Sequence, residues 1–441
     1  MLSTTLQASR PAPLSGNDRQ MKVLVVGKGG REHAIVWKLL QSPRISSLYC
    51  APGNAGTAPI AENVPISDTD VDGLLVFAKQ RSIDFTIVGP EAPLAAGIVD
   101  RFNDAGLAIF GPTKRATQIE SSKRFAKDLM ARAGVPTGHA EVFDDFDSAR
   151  RYVESIHPPV VIKADGLAAG KGVVIAETME QAVSALRAQM VDRELGASGD
   201  TVLIEEYMEG PEISVFAFVN GERLSPLFAA ADYQRPGEGN VGPNSGGMGA
   251  YSPLVGSMWT EDIENQVRTT VLQPVATALA NEGSPYIGVL YAGLMLTSRG
   301  LRVIEFNCRL GDPEAQVILP RLKTDLLDVL QATVDGDPAD LQLDWDNRPA
   351  VGVVVASGGY PGSYKTGLEI HGLDDVDNDV TVFHSGTSFD QDKAVVTNGG
   401  RVLTITAIGR TYQDARQKAY VNAERITFDG GFYRRDIADF S

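Results

Sequence analysis

The densest run of chemistry-bearing residues is Ile304-Glu305-Phe306-Asn307-Cys308-Arg309. In an extended strand alternate side chains share a face, so Glu305, Asn307 and Arg309 project together while Ile304, Phe306 and Cys308 face the core. A carboxylate beside an amide oxygen suits Mg2+, a hard cation that shares its coordination shell with nucleotide phosphates. Arg309 adds a planar fork for a carboxylate or phosphoryl group. A solvated strand face is the alternative. The turn that follows, Leu310-Gly311-Asp312-Pro313-Glu314, argues against a surface edge.

Three further segments carry possible ligand chemistry. Lys163-Ala164-Asp165-Gly166-Leu167-Ala168-Ala169-Gly170-Lys171-Gly172 resembles a phosphate loop but is not a Walker A motif. That motif needs four residues between its glycines and Ser or Thr after the lysine. Here the segment reads as a flap over phosphates that includes Gly170, Lys171 and Gly172, with Lys163 projecting from a strand; a plain hairpin turn is the alternative. Gly27-Lys28-Gly29-Gly30-Arg31-Glu32-His33 follows a strand and opens a helix, where backbone N–H groups attract a small anion. A dinucleotide site would need a third glycine where Glu32 stands and an acid ending the second strand. The loop therefore stays open between a monophosphate site, a structural turn and a dinucleotide site. Lys28 either adds a charge-assisted bond to such a phosphate or points to solvent. Finally, Glu205-Glu206-Tyr207-Met208-Glu209-Gly210-Pro211-Glu212 reads as a strand running into a linker, whose backbone could read an adenine edge and whose acids could hold ribose hydroxyls.

The elements that position these segments follow from periodicity. Short β-branched runs at Val23–Val26, Leu48–Cys50, Ile83–Val88 and Leu107–Phe110 each end in a glycine turn, and helices at Val71–Gln80 and Pro93–Ala105 separate them. That alternation predicts a doubly wound parallel α/β sheet. Beyond residue 122 the pattern predicts a helix at Ser122–Ala133 and strands near Val160–Lys163, Val173–Ala176, Thr201–Tyr207 and Ile213–Val219. A long loop at Asp232–Gly249, a helix at Glu261–Glu282 and a hairpin of Ile287–Thr297 with Leu301–Arg309 follow. Antiparallel strands with flanking helices imply α+β. A last unit begins near 347, with strands near Val351–Ala356, Thr381–His384 and Arg401–Ala407.

Net charge is −16, which excludes an extended nucleic-acid surface, since that needs a basic stripe. The two cysteines, Cys50 and Cys308, and five scattered histidines offer neither a disulfide framework nor a zinc site. No apolar run is long enough to span a membrane. Residues 1–20 lack a secretory segment and are expected to be a disordered tail outside the chemistry, with a transit segment as the alternative reading. A cytoplasmic monomer is expected.

Several motifs together resemble phosphoribosylamine–glycine ligases of the ATP-grasp superfamily. They are Gly-Gly-Arg-Glu-His-Ala (29–34), Ala-Pro-Gly-Asn-Ala-Gly-Thr (51–57), Val-Gly-Pro-Glu-Ala-Pro-Leu (88–94) and the 162–173 flap. Gly-Gly-Met-Gly-Ala-Tyr-Ser-Pro (246–253), the 304–309 strand and Thr-Asn-Gly-Gly-Arg-Val-Leu (397–403) complete the set. The resemblance runs from about Met21 to the C-terminus. It implies an N-terminal α/β domain (21–121), an ATP-grasp domain (122–346) with a mobile lid at about 140–208, and a C-terminal α+β domain (347–441). It further implies ATP-dependent ligation of glycine to 5-phosphoribosylamine through a glycyl phosphate, with Mg2+ or Mn2+. On that resemblance Lys123 and Lys163 take ATP phosphates, Glu205, Glu206, Tyr207 and Met208 take adenine, and Glu212 takes ribose. Glu305 and Asn307 take the metal, and Arg309, with Asp232 and Lys163, serves the reacting groups. Gly29, Gly30, Arg31 and Glu32 face phosphoribosylamine, and Asn54, Gly56, Pro90, Glu91 and Gly247 complete the substrate side.

Three departures stand out. Asp232-Tyr233-Gln234-Arg235 replaces the Asp-His-Lys-Arg frequent in the family, Ala292–Leu296 supplies no carboxylate beside the Glu-x-Asn pair, and Lys28 stands where Asn or Ser is commoner. Rival readings are another ATP-grasp enzyme such as a carboxylase, a nicotinamide-dependent dehydrogenase, and a binding protein that has lost catalysis.

Overall fold

Every strand that carries a site residue ends at one seam, where three sheets meet. The computed structural model describes residues 20–167 and 172–440. All of the expected tail (1–20) except Gln20, and the flap residues Ala168, Ala169, Gly170 and Lys171, lie outside the described residues.

The first sheet is fully parallel, in the order β3-β2-β1-β4-β5. Its strands are β1 (Met21–Gly27), β2 (Ile45–Pro52), β3 (Glu62–Asn63), β4 (Phe85–Val88) and β5 (Ile109–Phe110). The fully apolar stretch Val23-Leu24-Val25-Val26 is buried on both faces, as a central parallel strand requires. The strand order reverses between β1 and β4, and ligands of such sheets bind at the carboxyl ends on either side of that reversal. Gly27 and Gly89 lie there side by side, joined by the Gly89 N–H bond to the Val26 carbonyl (3.0 Å). The helix expected at Pro93–Ala105 is two, Glu91–Ala96 and Ile98–Asp104, because Gly97 adopts φ +91° between them.

A four-stranded antiparallel sheet follows: β6 (Ala140–Phe143), β7 (Val160–Ala164), β8 (Val173–Ala176) and β9 (Val202–Glu206), in the order β6-β9-β7-β8. The helices Phe146–Ile156 and Met179–Leu186 cover it. Its core, including Val153, Val160, Ile162, Leu186, Val202 and Ile204, is separate from the two clusters that fill the rest of the molecule.

The largest sheet holds β10 (Glu212–Asn220), β11 (Arg223–Leu224), β12 (Phe228–Asp232), β13 (Gly249–Ser252), β14 (Ile287–Thr297), β15 (Gly300–Asn307), β16 (Ala350–Ala356) and β17 (Val380–His384). The hairpin of β18 (Thr387–Phe389) and β19 (Val395–Thr397) stands apart, and β20 (Arg401–Ile408) returns to the large sheet. Its order is β15-β14-β10-β12-β13-β16-β20-β17, with β11 beside β10. The sheet does not stop at residue 347, because β13 pairs with β16 from Gly249↔Val353 to Ser252↔Ala350. The expected helix Glu261–Glu282 is interrupted by a π-helical turn at Arg268–Leu272. Pro274 lies just beyond that turn, and its missing N–H accounts for the wider turn.

Candidate active site

Two adjoining cavities open where the three sheets meet. The smaller, about 320 Å³, is walled by Arg31 and Glu91 beside the parallel sheet, by Lys123 and Lys127 of one helix, by Glu305, Asn307 and Arg309 at the end of β15, by Lys163, Gly166 and Gly172 of the four-stranded sheet and its β7–β8 connection, and by Arg401. The larger, about 740 Å³, runs along the linker Glu206–Glu212, between Val161, Val173 and Ile175 of the four-stranded sheet and Met295 and Ile304 of the large sheet. Lys163, Glu205, Asp232, Gln234 and Asn244 line both, so the two form one elongated site.

The cations are supplied in pairs. Lys163 is 4% exposed, and its Nζ lies 2.9 Å from Glu205 Oε2 and donates to the Ile304 carbonyl at 3.1 Å. Burial opposes its charge, but Glu205 and then Glu305 more than offset that and raise its pKa. Lys123 begins the helix Lys123–Ala133 and donates to the Gly166 carbonyl at 3.1 Å, while Ser122 caps the helix through Phe125 N–H. Burial lowers the pKa of Lys123, as it does for Lys127, one helical turn on and 3.4 Å from the same Glu205 oxygen. Glu205 is therefore the shared counter-ion of two lysines. Glu206 is likewise committed, to Arg299 and to the His139 N–H (3.3 Å). Tyr207 and Met208 follow the last ladder pair of β9 and line the larger cavity with Glu212. Gly172 lines the smaller cavity, at the base of the flap.

On β15 the expected alternation fails at one residue. Glu305 pairs with Gly293 but Val303 with Leu294, so Ile304 is an extra residue in the ladder. Such a bulge re-aims its side chain, and Ile304 lines both cavities rather than the core. Phe306 and Cys308 are buried as expected. Glu305 and Asn307 are neighbours, with Asn307 Nδ2 3.4 Å from Glu305 Oε1. Arg309 is not a free fork. Its guanidinium donates to Glu91 Oε2 (3.0 Å) and Asn307 Oδ1 (3.0 Å) and pairs with Glu120 Oε1 (3.1 Å). The three groups split their charge unequally. Burial would raise Glu91, but Arg309 and Arg31 hold it down to about 2; burial raises Glu120 to about 7 despite Arg309.

The first glycine loop is filled from within. Gly29 N–H donates to Glu32 Oε2 at 2.6 Å and Arg31 N–H to Asp312 Oδ2 at 3.3 Å, so carboxylates of the chain already occupy the helix start proposed for a phosphate. Glu32 also takes Arg31 Nε at 2.6 Å and packs so tightly that a Cβ on Gly89 would stand 2.1 Å from its Oε1. Gly30 abuts Gln316 and Ser385 instead of an open site. Arg31 remains at the cavity wall. Asn54 and Gly56 join domains and line neither cavity. Asn54 Nδ2 donates to the Lys28 and His384 carbonyls, both at 2.8 Å, and its Oδ1 accepts from Gly56 and Thr57. Gly56 leaves room for His33 and His384, which a Cβ would meet at 2.4 and 2.6 Å. Pro90 precedes the helix that presents Glu91, and Gly247 (φ +101°) lets the chain pass Pro313. Lys28 is exposed and lines neither cavity.

The smaller cavity is also lined by a set of acids. Burial raises Asp232 well above the usual carboxylate range, with Glu314 and Glu212 adding to it. Glu314 accepts from Tyr291 OH (2.8 Å) and Ser214 Oγ (3.2 Å). Arg401 bonds the Gly246 carbonyl and pairs with Asp312 Oδ1 at 3.3 Å. Lys127, Glu120, Tyr291, Asp312, Glu314 and Arg401 are cavity residues that the sequence reading did not assign to the site. Lys127 had a signal, four residues after Lys123 on one helix face. The others reach the site by tertiary packing.

The chain matches the phosphoribosylglycinamide synthetase N domain over residues 21–120, the ATP-grasp (A) domain over 121–315 and the C domain over 350–440. It is 51% identical over 418 residues to a phosphoribosylamine–glycine ligase of Caldanaerobacter subterraneus, covering 95% of this chain and 99% of that one. This chain belongs to the phosphoribosylglycinamide synthetase family. Among solved structures, the Thermotoga maritima phosphoribosylamine–glycine ligase superposes with a TM-score of 0.81 at 32% identity, over 94% of this chain and 100% of that one. The biotin carboxylase domain of Hydrogenobacter thermophilus 2-oxoglutarate carboxylase, at 16% identity, shares the fold, with a TM-score of 0.71 over 94% and 92% of the two chains. For a member of the synthetase family, an elongated site with lysines at one end and an apolar slot at the other suits ATP-dependent ligation.

Proposed function

We propose that this chain joins glycine to 5-phosphoribosylamine at the expense of ATP, giving glycinamide ribonucleotide, ADP and phosphate, in de novo purine synthesis. The observation that carries the reading is the meeting of Lys123 from the body and Lys163 from the lid on one cavity that Glu305 and Asn307 also line. Adenine would lie in the larger cavity between Val161, Ile175 and Met295, against the backbone of Tyr207 and Met208, with Glu212 near the ribose. The triphosphate would run toward the two lysines. Phosphoryl transfer depends on positioning and charge neutralisation, and that is what these side chains offer. A glycine carboxylate oxygen attacks the γ-phosphorus and ADP leaves; the amine then attacks the acyl carbon, phosphate leaves and the nitrogen gives up a proton. Arg31, Glu91, Arg309 and Arg401 wall the end of the smaller cavity where the second step would occur.

A divalent metal fits Glu305 and Asn307 as a two-ligand site completed by phosphate oxygens and water, the usual arrangement for Mg2+. Among the described residues no group of three or more His, Cys, Asp or Glu is arranged to hold a metal. Turning the Asn307 amide so that Oδ1 meets Glu305 would give up its bond from Arg309. When bound, the metal supplies neutralisation of the γ-phosphate charge.

The separate core of the 140–206 sheet supports reading it as a lid that shields an acyl phosphate from water. No helix among the described residues is long and apolar enough to cross a membrane; a cytoplasmic monomer is the reading we adopt. The deciding assay is ADP release with each substrate omitted in turn. Release that needs both glycine and phosphoribosylamine is expected, whereas release driven by bicarbonate would point to a carboxylase.

A further inference from the structure

The far end of the larger cavity is built by residues that neither the metal pair nor the lysines explain. Tyr233, Arg235, Asn240, Arg434 and Asp436 line it. Arg434 is 2% exposed, and all three nitrogens of its guanidinium donate hydrogen bonds. It forms a two-pronged pair with Asp436 (Nε to Oδ1 2.8 Å, Nη2 to Oδ2 2.7 Å) and donates to the Arg235 carbonyl at 2.8 Å and Asn240 Oδ1 at 3.4 Å. Its charge also sits 5.0 Å from the centre of the Tyr233 ring. From the other side, Asp436 Oδ2 accepts the Gly239 N–H at 2.9 Å and Tyr233 OH accepts the Ala438 N–H at 2.9 Å. Apart from the Arg434–Asp436 pair, which is internal to the segment 434–438, these contacts tie that segment to the 232–249 loop.

That loop places Asp232, Gln234 and Asn244 in both cavities. Its fold across the site is short-range: Tyr233 exchanges backbone bonds with Gly249 and Met248, and Ser245 bonds the Gln234 carbonyl. Within the stretch between, 235–244, Gly237 and Val241 exchange backbone bonds and Arg235 donates to the Gly242 carbonyl at 3.4 Å. A glycine-containing stretch of this length gains order from what it is tied to, and here that is Arg434 and Asp436.

We propose that residues 434–438 form a fixed wall of the nucleotide cavity, and that Arg434 and Tyr233 are positioning residues holding the 232–249 loop in its ligand-receiving shape. The inference rests on the reading that the larger cavity takes the nucleotide. It also gives a role to Tyr233, where the chain departs from the commoner histidine: the phenol spans to the Ala438 backbone and offers its ring face to Arg434.

The test is calorimetric titration of ADP into the full chain and its variants Arg434→Met, Asp436→Asn and Tyr233→Phe. With the loop released, the Kd for ADP should rise about tenfold in Arg434→Met and Asp436→Asn, and about threefold in Tyr233→Phe, which loses one hydrogen bond. The KM for glycine should change less than twofold, a split that general loosening would not give. Asp436→Asn keeps side-chain size and stands in should Arg434→Met fail to fold. Equal ADP affinity in all four proteins overturns the inference while leaving the nucleotide reading intact. Parallel weakening for ADP and glycine together with a lowered Tm reduces the contacts to structural ones and overturns it as well. Failure of the wild type to bind ADP removes the nucleotide reading and the inference with it.

Discussion

Replacing Glu205 with glutamine isolates what the buried lysine pair requires. The side chains of Lys163 and Glu205 are 5% and 3% exposed and 2.9 Å apart, so solvent screening discounts little of their interaction. Removing one partner of a buried pair leaves an uncompensated charge, and the expected cost is about 3–5 kcal/mol. Part of that returns because glutamine can still accept a hydrogen bond and Glu305 also favours the Lys163 charge. The pH dependence follows from the sign of the Lys163 shift. In the wild type its folded pKa is raised above 10.5, so the pair stabilises fully below that value and is lost only as pH climbs through the raised pKa. Without Glu205, burial dominates and the folded pKa falls below 10.5. The penalty is then largest near neutral pH and shrinks as pH rises toward 10.5. Amide hydrogen exchange along β7 and β9, with thermal melts at pH 7 and pH 10, measures both effects. The variant should exchange faster at pH 7 and the gap in Tm should narrow at pH 10. A gap that is absent, or that widens with pH, refutes the reasoning.

Other outcomes follow from the same geometry. Glu305→Gln and Asn307→Leu should each lower turnover at least tenfold with little change in Tm, read by ADP release across a metal titration. Asn54→Ala should destabilise the fold by about 2–4 kcal/mol in urea unfolding, because the Lys28 and His384 carbonyls and two N–H groups lose their partner. The KM for phosphoribosylamine should stay within about twofold in the folded Asn54→Ala protein. Lys28→Asn should leave that KM unchanged at low ionic strength, since an exposed charge contributes about 0–1 kcal/mol. A rise of tenfold would place the lysine on the substrate phosphate.

The sequence made the strand ends legible and the side-chain traffic between them much less so. Val23–Val26, Ile287–Thr297 and the Glu305-x-Asn307 pair announce themselves through hydrophobic runs and period-two alternation, which are local. The bulge at Ile304 is not local, since it is set by how β15 registers against Gly293 and Leu294. The filling of the first glycine loop is less local still. Asp312 reaches the Arg31 N–H across 281 residues, and nothing in the loop marks it as satisfied by its own chain. Glu205 and Glu206 show the same limit. Their position at a strand end suits nucleotide contact through the backbone, but their carboxylates are consumed by Lys163, Lys127 and Arg299. Residue type locates chemistry, and packing decides which atoms are left over to perform it.

The pairing of β13 with β16 bears on how this chain can be dissected or rearranged. A cut near residue 347 would strip a ladder from two apolar strands, Gly249–Ser252 and Ala350–Ala356, and leave each fragment with a raw sheet edge. Such edges seek partners, and both halves should precipitate or pair with foreign strands when made alone. An insertion would do better at Ser298-Arg299, an exposed hairpin turn that can lengthen while the β14–β15 ladder stays paired.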